Sequence, residues 1–233
     1  GYETAIEFKK NGVNPLILDT RKEPSSDIIT EAKNLGIEIK YSYVVVAAKG
    51  YKKVKSADIA KISDNKKDLS NIENIECDCI CVSGFWTPSI HLASQSGNKS
   101  EFNEKIDAFI PKKSKQKENT IGSANGKFTL EETINEAFNK GYEVSNKITE
   151  NNNKVSIPTA VEKKSSEHDK FWCVPLPKGK SYKRFLDFQN DVAVTDIELA
   201  LREGFRSIEH VKRYTTLGTV SYTHLRAHET VRN

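Results

Sequence analysis

The stretch "GYETAIEFKKNGVNPLILDTR", Gly1–Arg21, decides how this chain is read. Ala5, Ile6 and Phe8 recur at helical spacing, and Gly12 stands where a helix end favours glycine. "VNPLILDTR" follows as an apolar, strand-like run closing on Asp19. A glycine opening a helix, then a strand ending in an acid, matches the downstream half of a dinucleotide-binding βαβ unit. In that reading Gly1 is the last glycine of a phosphate loop and Asp19 accepts from a ribose hydroxyl. An ordinary α/β crossover gives the same pattern, with Asp19 a strand-terminal carboxylate capping a loop. The residues up to this point leave both readings open.

The alternation continues outward. "SSDIITEAKNLG" (Ser25–Gly36) begins with a serine cap and ends in Leu-Gly, which predicts a second helix. "IEIKYSYVVVAAKG" (Ile37–Gly50) reads as strand, and "YKKVKSADIAKI" (Tyr51–Ile62) as a hairpin or a further strand. Helices alternating with strands imply an α/β fold with a largely parallel sheet, whose ligands bind beyond the carboxyl ends of the strands. The polar run "SDNKKDLSNIEN" (Ser63–Asn74) is expected to link this region to "IECDCICVSGFWTP" (Ile75–Pro88).

Cys77, Cys79 and Cys81 alternate in that last stretch. On an extended strand they share one face, with successive thiols about 6.6 Å apart. A zinc ion needs sulfurs converging at roughly 2.3 Å, and no second ligand cluster exists to complete it. The three cysteines are therefore expected to pack on a buried strand that runs into a Ser83–Gly84 turn, and no metal site is assigned.

Further along, Gly122, Ser123, Ala124, Asn125 and Gly126 form a small-residue loop. Thr129 and Glu132 have capping-box spacing, and the helix they start is expected to end at Gly141. Such a loop can present backbone N–H groups to a phosphate or a flavin carbonyl, or can be a plain turn. Asn146–Lys170 reads as a linker. In the closing segment Asp196 is expected to cap a helix ended by Gly204, and a second helix to begin near Ser207 with Ile208 and Val211 inward. His91 and His210 read as structural or interface residues and His168 as solvent-facing. With no activated nucleophile and no acid–base pair, no catalytic residue is assigned.

Composition narrows the function classes. At 233 residues, with 36% hydrophobic and 29% charged residues, the chain can bury a core. Its formal charge is +4, but the lysines lie among carboxylates and only "PKKSKQKEN" (Pro111–Asn119) is locally basic, which argues against nucleic acid. No apolar run approaches the roughly 20 residues of a membrane span, and no signal peptide is recognisable. Four cysteines with three at alternate positions make no disulfide framework, so a cytoplasmic setting is expected. The start at Gly1 and the absence of methionine suggest a piece of a longer reading frame. "VSYTHLRAHET" (Val220–Thr230) reads as an in-frame translation of a sequencing adapter, so residues 220–233, with His224 and His228, are set aside.

Three stretches together carry a family resemblance: "CVSGFWTPSIHLASQSGNK", "SANGKFTLEETINEAF" and "LDFQNDVAVTDIELALREGFRSIEHVKRYTTLG". The chain resembles the alpha subunits of heterotetrameric sarcosine oxidase, relatives of amine and proline dehydrogenase subunits, over roughly residues 1–219. The resemblance implies paired Rossmann-like FAD/NAD(P)-binding domains of glutathione-reductase type. Residues 1–62 would be part of the inserted second domain and 63–145 the return to the first. Residues 146–182 would connect to a small helical domain at 183–219. It implies NAD in alpha and FMN shared with the beta subunit, with FAD in beta and tetrahydrofolate in a carboxyl-terminal domain. Beta, gamma and delta subunits are the implied partners. Gly84 and Trp86 would form a turn near a cofactor, and Gly122, Ala124, Asn125 and Gly126 the loop approaching it. The family shows two glycines before the tryptophan where this chain has Gly84 and Phe85. Ala193–Gly218 contains no cysteine, so no iron–sulfur cluster is expected there. The rival readings are a flavin-dependent NAD(P)H oxidoreductase and a non-catalytic assembly module with a vestigial nucleotide site.

Overall fold

The computed structural model describes residues 1–84, 86–114, 116–149, 171–177 and 182–218, with single positions at 156, 158, 160 and 179. They group into two compact units. One comprises Gly1–Ser42 with Cys79–Phe171, the other Tyr43–Asp78 with the chain from Trp172 onward. Phe85, His168, His224, His228, most of the linker and the adapter-like tail lie outside the described residues.

The first unit opens with helix α1 (Tyr2–Lys10), strand β1 (Leu16–Asp19), helix α2 (Asp27–Asn34) and strand β2 (Glu38–Tyr41). Both helices close in the same way. Gly12 N–H donates to Lys9 O and Val13 N–H to Phe8 O, while Gly36 N–H donates to Lys33 O and Ile37 N–H to Ala32 O. Gly12 and Gly36 take left-handed φ values of 81° and 68°, which a glycine accepts without strain. β1 and β2 pair in parallel, Leu16 opposite Glu38 and Asp19 opposite Tyr41. Ala5 and Ile6 of α1, Ala32 of α2 and Ile37 form the buried cluster, flanked by Tyr2, Ile17, Ile28, Leu35 and Ile39.

Parallel pairing among the described residues stops there, which corrects the expectation of a largely parallel sheet. Ser42 adopts φ 58° and breaks the apolar run after Tyr41. Strand β3 (Tyr43–Gly50) then turns through Gly50 into strand β4 (Val54–Ile62), and strand β5 (Leu69–Glu76) completes an antiparallel meander in the order β3-β4-β5. The run read as a polar linker is thus partly strand. Central β4 buries Ala57, Asp58, Ile59, Ala60 and Ile62. Asp58, 3% exposed, is paired with Lys49 Nζ at 2.8 Å and accepts from Asn74 Nδ2 at 2.8 Å and Tyr182 Oη at 3.5 Å. A buried carboxylate is tolerable only with such partners.

The cysteine strand does not form. β5 ends at Glu76, and the amide of Cys77 makes a last bond to Lys55 O at 3.1 Å, close to where β4 itself begins. With no neighbour to pair beyond it, the chain leaves the sheet. Cys77 is half-buried, while Cys79 and Cys81 are exposed. Packing is therefore not their role, and truncating Cys79 removes no core volume.

The first unit resumes with helix α3 (His91–Gln95), an antiparallel hairpin of strands β6 (Ser100–Asn103) and β7 (Ala108–Pro111), a 3-10 turn (Gly122–Asn125) and helix α4 (Leu130–Thr149). Thr129 caps the start of α4, with Glu132 N–H donating to Thr129 Oγ1 at 3.2 Å and the Thr129 hydroxyl donating to Glu132 Oε2 at 3.0 Å. α4 passes through Gly141 rather than ending there. Stacking of Phe138 on Tyr142 spans that glycine, and Glu143 pairs with Lys140 and Lys147. Bonds from Lys147 and then Lys140 hold the Glu143 carboxyl down at about 2.

The second unit closes with a hairpin of strands β8 (Phe185–Asp187) and β9 (Val192–Ala193), then helices α5 (Val194–Arg202) and α6 (Ile208–Thr215). Asp196 acts from inside the first turn, its carboxylate accepting from Ala193 N–H at 2.8 Å. Ser207 caps α6 and Val211 is buried, but Ile208 is exposed, against the expectation for it. Asp187 accepts from the backbone of Gln189, Asn190 and Gly218 and from the Asn190 amide, joining the hairpin turn to the end of α6. The Asn190 side-chain bond and then the Gly218 amide hold its carboxyl below the ordinary value.

Asp58→Ala in the full subunit is expected to cost about 2 kcal/mol, because the charged bonds from Lys49 and Asn74 to this buried carboxylate are lost. That cost corresponds to roughly 30-fold faster hydrogen exchange across β4. Unchanged β4 protection would show that the carboxylate holds nothing together.

Candidate functional site

Asp19 ends β1 with its side chain almost wholly enclosed, 7% of the residue being exposed. Its Oδ1 accepts from Arg21 N at 2.9 Å and Arg21 Nε at 3.0 Å. Its Oδ2 accepts from Tyr2 Oη at 2.7 Å and from an Arg21 terminal nitrogen at 2.7 Å. A carboxylate pinned by a guanidinium fork and a phenol is strongly ordered. Burial alone would raise the Asp19 carboxyl, but the bonds from Arg21 and Tyr2 outweigh it and hold the group below 3.8. Tyr2 is pushed the other way, by burial first and then by its bond to Asp19, so it remains a protonated donor. The bond to Asp19 likewise raises Arg21.

At the other end of Tyr2 stands Gly1, which caps α1 and accepts from Ala5 N–H at 3.0 Å. The Gly1 nitrogen donates to Ser83 Oγ at 3.1 Å. A Cβ on Gly1 would meet Ser83 Cβ at 3.2 Å, so the return segment approaches the helix start closely enough to favour glycine. Gly1, Asp19 and Ser83 are therefore gathered at one end of the parallel pair. Tyr2 and Arg21 complete the group. Sequence reading missed both, although the two-residue spacing of Asp19 and Arg21 and the place of Tyr2 in the first turn of α1 were available signals.

Gly84 itself is unconstrained, since an added Cβ would meet nothing within 4 Å. Trp86 is 78% exposed. Beside it Thr87, Pro88 and Ile90 face Phe102, Ala108 and Phe109 across a cleft of about 330 Å³, with Phe102 and Phe109 edge to face at 5.3 Å.

The small-residue loop is built differently from a phosphate cradle. Gly122 N–H donates to Glu136 Oε2 at 2.7 Å, and the Asn125 amide donates to Glu136 Oε1 at 2.7 Å. Glu136 on α4 thus occupies the loop with its own negative charge. Gly126 is needed for packing, because a Cβ there would lie 2.6 Å from Ile106 Cδ1. Ala124 is half-buried in the same turn. His91 opens α3 and His210 lies in α6, both exposed. Among the described residues no group of three His, Cys, Asp or Glu side chains is arranged for a metal ion, and no helix is long and apolar enough to cross a membrane.

Residues 181–223 match the family described as the sarcosine oxidase A3 domain. Over 94% of its length the chain is 27% identical to sarcosine oxidase subunit alpha of Corynebacterium sp. (strain U-96), of which it covers 23%. It is 30% identical to the same subunit of Rhizobium meliloti (strain 1021), again over 94% of the chain and covering 21% of that relative. L-proline dehydrogenase from P. horikoshii is a structural neighbour at a TM-score of 0.44 and 18% identity, matching 82% of this chain and 38% of that one. The chain is thus similar along nearly its whole length to sarcosine oxidase alpha subunits, and it spans somewhat under a quarter of the curated relatives' length.

The Asp19 pair carries a pH signature. Its folded carboxyl lies below the ordinary value of 3.8, so its stabilisation is complete above that value and is lost as pH falls through the lower, folded one. Arg21→Ala removes the fork, and the acid-unfolding midpoint of the first unit should move to higher pH. An unmoved midpoint, followed by circular dichroism or exchange at α1, would contradict the role given to this pair.

Proposed function

We propose that this chain is a cofactor-housing and subunit-contact segment of a sarcosine oxidase alpha subunit. The observation that carries the reading is the match along 94% of the chain. The assembly it serves would convert sarcosine, tetrahydrofolate and oxygen to glycine, methylenetetrahydrofolate and hydrogen peroxide. Beta, gamma and delta subunits would be its partners and the cytoplasm its setting. Paired dinucleotide domains of glutathione-reductase type would supply the frame, with NAD in alpha and FMN between alpha and beta.

The residues present decide what this segment contributes. A ribose hydroxyl at Asp19 would have to displace Tyr2 or Arg21 from a filled carboxylate, so NAD does not fit here as the side chains stand. A phosphate at the Gly122–Gly126 loop would meet the Glu136 carboxylate, so that loop does not fit one either. Trp86 differs, because it is exposed and directly precedes Thr87 and Pro88, which line a cleft with Phe102 and Phe109. Such a surface suits the flat ring of a flavin or an apolar partner side chain. When bound, FMN supplies the electron transfer, and this chain's part is to seat and cover it.

Trp86→Ala in the coexpressed full-length complex should lower FMN content or loosen the alpha–beta association, while the FAD of beta is retained. FMN stoichiometry and complex mass equal to those of the unmodified enzyme would remove Trp86 from that interface. The Asp19 assignment has its own measurement. With the carboxylate already engaged, Asp19→Asn in the full subunit is expected to leave the NAD dissociation constant unchanged by titration. A weakening of about tenfold, or about 1.4 kcal/mol, would mean that a ribose does reach this acid.

A further inference from the structure

Cys79 and Cys81 are exposed in the segment between β5 and α3, outside any helix or strand, and their sulfurs lie 3.8 Å apart. On an extended strand the same spacing would hold them about 6.6 Å apart. Departure from the sheet has therefore brought two thiols into contact where small oxidants reach both. A disulfide needs the sulfurs at about 2.05 Å, a further approach of under about 2 Å in a stretch with no ladder bonds to resist it. Cys77 is placed otherwise, half-buried with its amide bound to Lys55.

We propose that Cys79 and Cys81 form a peroxide-responsive dithiol, a covalent modification site that closes to an intrachain disulfide. The oxidant is hydrogen peroxide or another hydroperoxide. The thiolate of one cysteine attacks the peroxide O–O bond, giving a sulfenic acid and, with hydrogen peroxide, one water. The sulfur of the other then displaces the sulfenic hydroxyl as a second water and forms the S–S bond. Two thiols lose two electrons and two protons, and one peroxide is reduced to two waters. Closure stiffens the chain just before Ser83, which bonds Gly1, and before exposed Trp86. The inference stands on the sulfur geometry and does not rest on the oxidase reading.

The full subunit, treated with equimolar hydrogen peroxide and then alkylated, is read by mass spectrometry. The peptide carrying these cysteines should lose the mass of two hydrogens, with dithiothreitol restoring it. Cys77→Ser should keep that loss. Cys79→Ser and Cys81→Ser should abolish it and leave a sulfenic acid that dimedone traps. Both side chains are exposed, so these substitutions leave the fold intact. Full alkylation of Cys79 and Cys81 after peroxide, or loss of the bond in Cys77→Ser, would overturn the pairing.

Discussion

The buried carboxylate of Asp19 is the constraint around which the first unit is arranged. A charge enclosed at a strand end is unfavourable unless its oxygens are filled, and here the filling comes from two directions. Arg21 returns on it from the next turn of chain, and Tyr2 reaches it from the first turn of α1. One bond set therefore fixes where the helix start lies relative to the strand end. It also sets the position of Gly1, against which Ser83 closes. The backbone makes the same junction a second time, since Ser42 N–H donates to Arg21 O at 3.1 Å, tying the end of β2 to the loop after β1.

Filling the carboxylate from within changes what the motif means. A glycine before a helix and an acid after a strand describe geometry, and a nucleotide-binding role further requires the acid's oxygens to face an open space. Sequence conveys the first and not the second, because whether Arg21 turns outward or inward is a rotamer choice made by the fold. The glycine loop repeats the lesson. Small residues at Gly122–Gly126 permit close approach by anything, and what approaches is the Glu136 carboxylate and the Ile106 side chain.

Elements defined by neighbouring residues were the legible ones. α1, β1 and α2 follow from local periodicity and their closing glycines, and the Thr129–Glu132 cap from its spacing. The helix through Gly141 was not legible, because stacking of Phe138 on Tyr142 and the Glu143 pairs outweigh one glycine's cost. The parallel sheet failed at Ser42, where a single left-handed residue separates a parallel strand from an antiparallel meander. The cysteine strand failed for a non-local reason: its alternation is strand-like, but a strand needs a neighbour, and β4 has already begun to run out at Lys55. Of the residues named from sequence, Gly1, Asp19 and Ser83 lie together, whereas Gly122–Gly126 make their contacts with α4 and the β6–β7 region.

The distribution of exposed apolar residues bears on why a housing role suits this segment. α4 is twenty residues long and strongly two-sided, yet no residue in it is fully buried, and Leu130, Val144 and Ile148 are exposed. Trp86, Leu92, Phe102 and Phe109 are exposed as well, and Phe102 and Phe109 line the aromatic cleft described above. Scattered single hydrophobics are ordinary on a protein surface, but an aromatic group gathered at a cleft is what an interface or a ring-binding surface requires. The polar groups at the Asp19 and Glu136 centres are satisfied internally, so what they leave for a ligand or partner is shape and apolar area rather than charge.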